Sequence, residues 1–214
     1  MSIEEIFPLK IYRSRYDKVD EIKEKLFPKL EKLWKPSLDD NQQFMRDGTI
    51  CSYHTSALIQ HEYPEETADL IEFANKAGKE FWKENDYYEG MEPFVAQVWA
   101  NKTPKGGWVH SHIHLSIPFT ALLYVDASPE QGNLVLENPL DFVLGAQPIN
   151  YHKKIQFEYE VKVNTGDFII FPAWLRHKVL PNTIDTPRLI LGLNYIGKGN
   201  YWAEQWLLNQ PTTY

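Results

Sequence analysis

The sequence predicts a mostly β protein with flanking helices, in which a jelly-roll barrel is buttressed by N-terminal helices. Two patterns support this fold class. The second half of the chain has short segments rich in β-branched and aromatic residues, separated by glycine, proline and asparagine turns. The first 90 residues instead carry apolar residues at helical spacing. With 214 residues the chain can bury a full core without disulfides, and it has a single cysteine, Cys51.

The chain opens with an expected edge strand followed by a helix. Residues 6–12 are short and apolar, and Pro8 interrupts them, which favours the edge of a sheet over its centre. Apolar residues then recur every three or four positions from Val19 to Leu33 among lysines and glutamates. This spacing predicts an amphipathic helix that Pro28 either kinks or restarts.

Residues 36–63 are polar and contain several turn residues, so they are expected to have little regular structure. His54 and His61 lie in this excursion without paired ligand spacing and are interpreted as surface histidines. Pro64 begins a second helix, because proline suits the first helical turn and the acidic residues after it suit the positive helix end. The apolar side of this helix is expected to pack against a sheet.

The barrel is expected to begin after residue 90. Strands are predicted at residues 94–100, 108–114, 117–125, 133–137, 155–163, 168–171 and 188–195. In residues 155–163 the apolar and polar residues alternate, so the apolar side chains are expected to face one way and the polar side chains the other. We expect one domain, consisting of a helical decoration at 1–90, a jelly-roll core at 91–197 and a tail at 198–214 with a short helix at 201–208.

Composition disfavours several classes of partner. The formal net charge is −7 without a block of like charges, which disfavours a protein that binds nucleic acid by neutralising phosphates. The sequence has neither a secretory signal pattern nor an apolar run long enough for a membrane span. We therefore expect a cytoplasmic protein without a membrane partner, and a homodimer is left open.

Alternating histidines are the strongest functional signal. His110, His112 and His114 occupy alternate positions, and alternate residues of a strand project from one face. Buried imidazoles without partners are costly, whereas neutral imidazole is a common ligand of transition metals. His112, His114 and His177 fit the facial-triad layout, in which a paired motif precedes a distant histidine by roughly 50 to 65 residues. The pair His110 and His112 fits the same rule, and a solvated edge strand is the non-functional alternative.

Arg188 begins a strongly apolar segment at 188–195. A guanidinium keeps its charge in proteins and prefers a bidentate carboxylate partner, so an arginine that enters a buried strand needs an anion. An ion pair with a nearby acid such as Asp185, or a side chain that reaches the surface, would satisfy it without a ligand. Beside a histidine triad, a dicarboxylate co-substrate is the favoured partner.

Motifs from residue 6 to residue 194 carry a family resemblance. They are Ile-Phe-Pro-Leu at 6–9, Val-Trp-Ala-Asn at 98–101, the histidine pair at 112–114, an apolar run that ends at Tyr124, Gly-x-Leu-x-x-x-x-Pro at 132–139, Gly-Asp-x-x-x-Phe-Pro-x-x-Leu-x-His-x-Val at 166–179, and a strand from Arg188 to Asn194. With these motifs the chain resembles the 2-oxoglutarate- and Fe(II)-dependent oxygenases, and more narrowly a family of them found in marine bacteria and their phages. The segment around His177 is the most specific part.

This resemblance implies a double-stranded β-helix, the cupin-like form of the jelly roll, and an enzyme that uses Fe(II), 2-oxoglutarate and O2. The implied iron ligands are His112, His114 and His177. Arg188 would bind the distal carboxylate of 2-oxoglutarate, Tyr124 would donate a hydrogen bond to it, and Asn101 and Trp99 would line the pocket. The reaction would hydroxylate an unidentified substrate, a small molecule or a protein side chain, with release of succinate and CO2.

Two departures from the wider superfamily affect this interpretation. His114 stands where most relatives have an acidic ligand, so a site of three histidines keeps the full +2 charge of the metal. Water or a carboxylate such as Glu137 could instead complete a site made of His112 and His177 alone. Ile190 stands where relatives often have a small hydroxyl residue.

Two other classes of function remain open on the sequence. One is a three-histidine metal cupin that does not use 2-oxoglutarate, and the other is a non-catalytic binding module with a vestigial site. The excursion at 36–63 and the loop at 138–154, which contains His152, are expected to shape the substrate entrance, because loops on rigid scaffolds carry specificity.

Overall fold

Two antiparallel β-sheets form the centre of the computed structural model, which describes residues 9–38, 50–56, 58–87, 89–140 and 157–199. The strands are β1 (Tyr12–Arg15), β2 (Lys35–Leu38), β3 (Ile50–His54), β4 (Met91–Thr103), β5 (Val109–His112), β6 (Phe119–Asp126), β7 (Leu134–Glu137), β8 (Glu158–Val161), β9 (Asp167–Pro172), β10 (His177–Val179) and β11 (Arg188–Gly199). The helices are α1 (Val19–Lys25), α2 (Ile59–Glu62) and α3 (Pro64–Glu84), with short 3-10 helices at Phe27–Leu30 and Pro129–Gln131.

The strand order is that of a double-stranded β-helix. The larger sheet has the order β1-β9-β6-β11-β4-β3-β2, and the smaller has the order β5-β10-β7-β8. From β4 to β11 the chain passes back and forth between the two sheets, as in a jelly roll. The predicted mostly β fold class is confirmed.

Alternate residues of the larger sheet serve two separate cores. On β6, Leu122 and Tyr124 point into the barrel, whereas Leu123 and Val125 point outward to the helices. This division follows from the two-residue period of a strand, and it explains why the whole of β6 is apolar. The helices cover the outer face, where Phe81 of α3 meets Phe119 with ring centroids 5.1 Å apart. The predicted buttress of N-terminal helices is therefore confirmed.

The predictions for the first 63 residues were partly wrong. The first described strand is β1 at Tyr12–Arg15; residues 1–8 of the expected edge strand lie outside the described ranges. It does occupy an edge of the larger sheet, where it pairs with β9. Pro28 starts a separate 3-10 helix after α1, which is the second of the two alternatives for that proline.

The excursion at 36–63 has more regular structure than expected. It contains β2, β3 and α2, and β3 pairs with β4 through Tyr53 opposite Lys102 and His54 opposite Asn101. These strands are only four and five residues long and pair at the edge of the larger sheet, where backbone hydrogen bonds stabilise them without a long hydrophobic pattern.

The barrel strands also differ from the predicted bounds. β5 ends at His112 rather than at residue 114, and the three-residue β10 was missed because it is too short to show a period. On β8, Tyr159 lies on the same face as the buried Val161, as the alternation predicted, and is itself 49% exposed. The expected tail helix at 201–208 and His152 lie outside the described residues. None of the helices in the described ranges is long and apolar enough to cross a bilayer.

Candidate metal centre

Three separate segments bring His112, His114 and His177 to one end of the barrel. His112 is the last residue of β5 and pairs across the smaller sheet with His177, the first residue of β10. His114 lies two residues beyond the end of β5. Its backbone N–H donates to the carbonyl oxygen of Ala173, at a distance of 2.9 Å, and Ser116 at φ 67° then turns the chain.

The three imidazole rings lie close enough to share one ion. The ring centroids of His112 and His177 are 4.2 Å apart, and that of His114 lies 5.3 Å and 5.2 Å from them. One nitrogen from each ring lies within 4.8 Å of the nitrogens from the other two. The Nε2 atoms of His112 and His114 are only 3.3 Å apart.

Hydrogen bonds at Nδ1 fix the tautomers of His112 and His177. In His112, Nδ1 lies 2.8 Å from the carbonyl oxygen of His110, and in His177 it lies 2.8 Å from that of Leu175. A carbonyl oxygen can only accept, so Nδ1 carries the hydrogen in both rings. In the neutral imidazoles Nε2 then has a free lone pair that faces the other histidines.

The third ring is held by Asn194, which the sequence analysis gave no role. The Oδ1 atom of Asn194 lies 3.2 Å from Nδ1 of His114 and accepts a second hydrogen bond from the hydroxyl of Thr120, at 3.0 Å. Its Nδ2 donates to Oε1 of Gln97 at 2.8 Å, which sets the orientation of the amide. His114 therefore also donates from Nδ1 and presents its Nε2 lone pair.

This donor set fits a transition-metal ion. Two unprotonated nitrogens 3.3 Å apart repel each other unless a cation lies between them. With metal–nitrogen bonds of about 2.0–2.1 Å, two ligand nitrogens lie about 3.0 Å apart at a right angle and about 3.4 Å apart at a tetrahedral angle. The observed separation falls between these values.

Burial keeps the three rings in the form that binds metals. His177 is only 3% exposed. Burial, and after it repulsion from the charged form of His112, lower its pKa to about 3. Burial is also the main cause that lowers the pKa of His112 and of His114. All three imidazoles are therefore neutral at neutral pH and can act as ligands without losing a proton.

Other candidates named from the sequence lie outside the group. His110 packs its ring 5.8 Å from that of His112 and contributes only its carbonyl oxygen. Glu137 forms an ion pair with Arg176 at 3.8 Å. Within the described ranges, no carboxylate and neither His54 nor His61 belongs to the cluster.

Arg188 is buried in the same barrel and has only neutral partners among the described residues. Its side chain is 1% exposed; Nη1 donates to the carbonyl oxygens of Gln131 (2.9 Å) and Gly132 (2.8 Å), and Nη2 donates to Oγ1 of Thr103 (3.0 Å). Asp185 pairs with Lys105 instead. The two alternatives without a ligand, an ion pair with Asp185 and a side chain that reaches the surface, are both contradicted.

Gly132 is essential to this arrangement. Its φ of 95° is in the left-handed region, and a Cβ there would lie 2.0 Å from the carbonyl oxygen of Leu180 and 2.9 Å from Nη1 of Arg188. Only glycine lets the backbone approach so closely that its carbonyl oxygen accepts from the guanidinium. Burial lowers the pKa of Arg188 to about 10, which leaves it charged at neutral pH.

Tyr124 contributes a second unsatisfied group. Its hydroxyl is buried and has no hydrogen-bond partner among the described residues, and burial raises its pKa. Tyr124 lies opposite Ile190 on the neighbouring strand, and Ile190 is two residues from Arg188. A neutral phenol donor and a guanidinium without a counter-ion together suit a carboxylate ligand, because each would otherwise stay incompletely bonded.

Trp99 and Asn101 lie two residues apart on β4 and have different surroundings. The indole of Trp99 lies 5.8 Å from the ring of His114, and it fits because Gly192 opposite it has no side chain; a Cβ there would lie 2.2 Å from the indole. Asn101 accepts from the hydroxyl of Thr103, at 2.9 Å, and so supports the residue that holds Arg188.

The fold and the site together define a class: a double-stranded β-helix protein with three clustered histidines that could hold a metal ion and a buried arginine whose described partners are neutral. Residues 97–194 match the model of the family described as "Putative 2OG-Fe(II) oxygenase". The match covers a little less than half of the chain, and it confirms the resemblance found in the sequence. The narrower resemblance to marine bacterial and phage oxygenases stays a prediction.

Solved structures share the fold at low sequence identity. The carbocyclase SnoK from nogalamycin biosynthesis is 13% identical, with a TM-score of 0.65 and coverage of 95% of this chain and 87% of that one. HygX from Streptomyces hygroscopicus, solved with nickel and 2-oxoglutarate, is 14% identical, with a TM-score of 0.57 and coverage of 87% and 82%. A prolyl-4-hydroxylase from Pseudomonas putida is 12% identical, with a TM-score of 0.58 and coverage of 88% and 93%. A search of curated proteins found no match.

Proposed function

We propose that this protein is a non-haem Fe(II) enzyme that uses 2-oxoglutarate and O2 to hydroxylate a substrate. One observation carries the proposal: the barrel that holds the three imidazoles also contains Arg188, a buried cation whose described partners are all neutral. A metal site alone would account for the histidines. A buried guanidinium with spare donors needs an anion as well, and 2-oxoglutarate is a dianion.

The histidines would hold the metal through their Nε2 atoms. Three ligands on one side of the ion leave the remaining coordination positions open for the keto acid end of 2-oxoglutarate and for oxygen. When bound, the iron supplies the oxidising chemistry, in which 2-oxoglutarate is converted to succinate and CO2 and the substrate gains a hydroxyl group. The chain itself orients the ligands and excludes water from the barrel.

Arg188 and Tyr124 would hold the far end of the co-substrate. The three hydrogen bonds from Arg188 to Gln131, Gly132 and Thr103 fix the plane of the guanidinium before 2-oxoglutarate arrives. Preorganisation of this kind reduces the entropy lost on binding. The hydroxyl of Tyr124 would gain its missing hydrogen bond by donating to the same carboxylate.

The charges in the barrel support a dianion over other ligands. The three histidines are neutral, Arg188 is positive, and no described carboxylate joins the cluster. A divalent ion would add two positive charges, so an anionic co-substrate would neutralise much of the total. A three-histidine cupin that does not use 2-oxoglutarate would leave Arg188 without an anion.

Formation of succinate tests the proposal. Purified protein loaded anaerobically with Fe(II) and then exposed to O2 should convert 2-oxoglutarate to succinate, and omission of Fe(II) should abolish the conversion. Tyr124→Phe should raise the KM for 2-oxoglutarate, whereas Arg13→Ala, which removes an exposed arginine, should not. Normal metal binding without 2-oxoglutarate binding would favour the cupin, and failure to bind any divalent metal would favour a non-catalytic module.

A further inference from the structure

An apolar groove of about 620 Å³ lies beside the segment that leads into β10, and its lining includes neither the three histidines nor Arg188. Its walls include Ile11, Leu136, Leu140, Tyr159, Trp174 and Leu175. These residues come from the segment before β1, the end of β7, β8 and the turn between β9 and β10. The volume lies within the range of roughly 300–1,000 Å³ that is usual for small-molecule sites.

Residues that line the groove are joined to two of the proposed metal ligands by strand pairing and backbone hydrogen bonds. Leu136 pairs with His177 across β7 and β10, and the carbonyl oxygen of Leu175 accepts from Nδ1 of His177. Trp174 follows Ala173, whose carbonyl oxygen accepts from the backbone of His114. Leu136 and Leu175 also belong to the apolar core inside the barrel. The groove therefore borders the apolar interior of the barrel through Leu136 and Leu175.

The outer walls of the groove expose large apolar side chains. Leu140 is 58% exposed, Trp174 is 51% exposed and Tyr159 is 49% exposed. Tyr159 pairs with Leu136 across β8 and β7, and both residues line the groove. Clustered apolar exposure of this kind marks a binding surface rather than a random distribution.

The charges at the rim of the groove are paired. The carboxylate of Glu137 forms an ion pair with Arg176, and that of Glu158 forms one with Lys178. The two acidic residues that line the groove are thus balanced by two neighbouring basic residues. Among the described residues, a charged ligand would lose hydration on entering the apolar part without gaining an unpaired charged partner at the rim.

We propose that this groove binds the body of the enzyme's prime substrate, and that this substrate is an uncharged small molecule with an apolar ring system. The flat faces of Trp174 and Tyr159 suit a ring, and the paired rim disfavours a strongly charged molecule. The inference rests on the proposed function, because it assigns the groove to the substrate of the same metal centre.

Three indole compounds of similar shape and different charge test the chemical class: tryptophol is neutral, indole-3-acetate is an anion and tryptamine is a cation. Binding is measured by calorimetry to protein loaded with Mn(II) and 2-oxoglutarate. Tryptophol should bind at least about tenfold more tightly than either charged compound. Equal binding of all three, or absence of tryptophol binding, would overturn the proposal.

Two variants locate the binding. Trp174→Ala should weaken tryptophol binding about tenfold, since a truncated aromatic anchor typically costs this much or more. Ile184→Ala removes another exposed apolar side chain, outside the groove, and should leave binding unchanged. Bound Mn(II) should also broaden the NMR signals of tryptophol through paramagnetic relaxation. Wild-type affinity in Trp174→Ala, or unbroadened signals, would contradict the assignment.

A parallel assay separates this inference from the proposed function. Tryptophol binding that depends on Trp174, in a protein that forms no succinate from 2-oxoglutarate, would support the groove as a binding site and refute the proposed oxygenase activity. Succinate formation without selective tryptophol binding would support the proposed oxygenase activity and refute the substrate-binding role of the groove.

Discussion

Replacement of Asn194 by alanine should weaken metal binding without removing a ligand. This side chain accepts the Nδ1 hydrogen of His114 at 3.2 Å and so keeps Nε2 directed at the other two histidines. Loss of such a supporting hydrogen bond typically lowers metal affinity about 10- to 100-fold. This range corresponds to about 1.4 to 2.8 kcal/mol of binding free energy.

The measurement is a competition titration of Fe(II) or Co(II) against a chelator of known affinity under anaerobic conditions. Asn194→Ala should lose affinity within the expected range, and Asn194→Asp, which keeps an acceptor oxygen at the same position, should recover most of it. Asn85→Ala changes the asparagine after α3, whose side chain donates to the carbonyl oxygen of Phe81, and should bind the metal as the wild type does. Unchanged affinity in Asn194→Ala would refute the role assigned to this hydrogen bond.

Three further predictions follow from the geometry of the barrel. Gly192→Ala should slow succinate formation and lower stability by about 1–3 kcal/mol in a urea titration, because the new methyl would overlap the indole of Trp99 beside His114. Tyr124→Phe should raise the KM for 2-oxoglutarate roughly 10- to 100-fold at unchanged iron content, since it removes one hydrogen bond to a charged group. In metal-free protein, the free energy of unfolding should fall as the pH falls from about 6.5 towards 3. Over this range His177 is protonated in the unfolded chain but stays neutral in the folded protein, where its pKa is about 3. His177→Gln should reduce that slope, and an identical slope would contradict the assigned pKa.

The chemistry of individual residues made much of the candidate site predictable. Three histidines at the expected spacings and an arginine at the start of a buried strand require partners wherever the chain places them. The apolar pattern of β6 and β11 likewise reports burial on both faces. These are local properties, so the sequence alone reveals them.

The choice between His110 and His114 could not be predicted, because distant residues decide it. β5 ends at His112, and the carbonyl oxygen of Ala173 and the amide of Asn194 then place His114 at the cluster. Ala173 is 59 residues from His114 in sequence and Asn194 is 80 residues from it. No pattern around residue 114 contains this information.

The partners of Arg188 were hidden for the same reason. Two of them are the backbone carbonyl oxygens of Gln131 and Gly132. Every residue has a backbone carbonyl, so the sequence indicates this contact only through Gly132, which has no side chain to block the close approach. The short strands β2, β3 and β10 were missed because their stability comes from pairing with neighbours rather than from their own composition.

Anaerobic calorimetric titration of 2-oxoglutarate into the Fe(II)-loaded protein tests the central claim most directly. The account predicts that one equivalent binds per chain only when the metal is present, and that Arg188→Lys weakens binding at least about thirtyfold while the iron content stays the same. Absence of 2-oxoglutarate binding to the iron-loaded wild type, or wild-type affinity in Arg188→Lys, would contradict it.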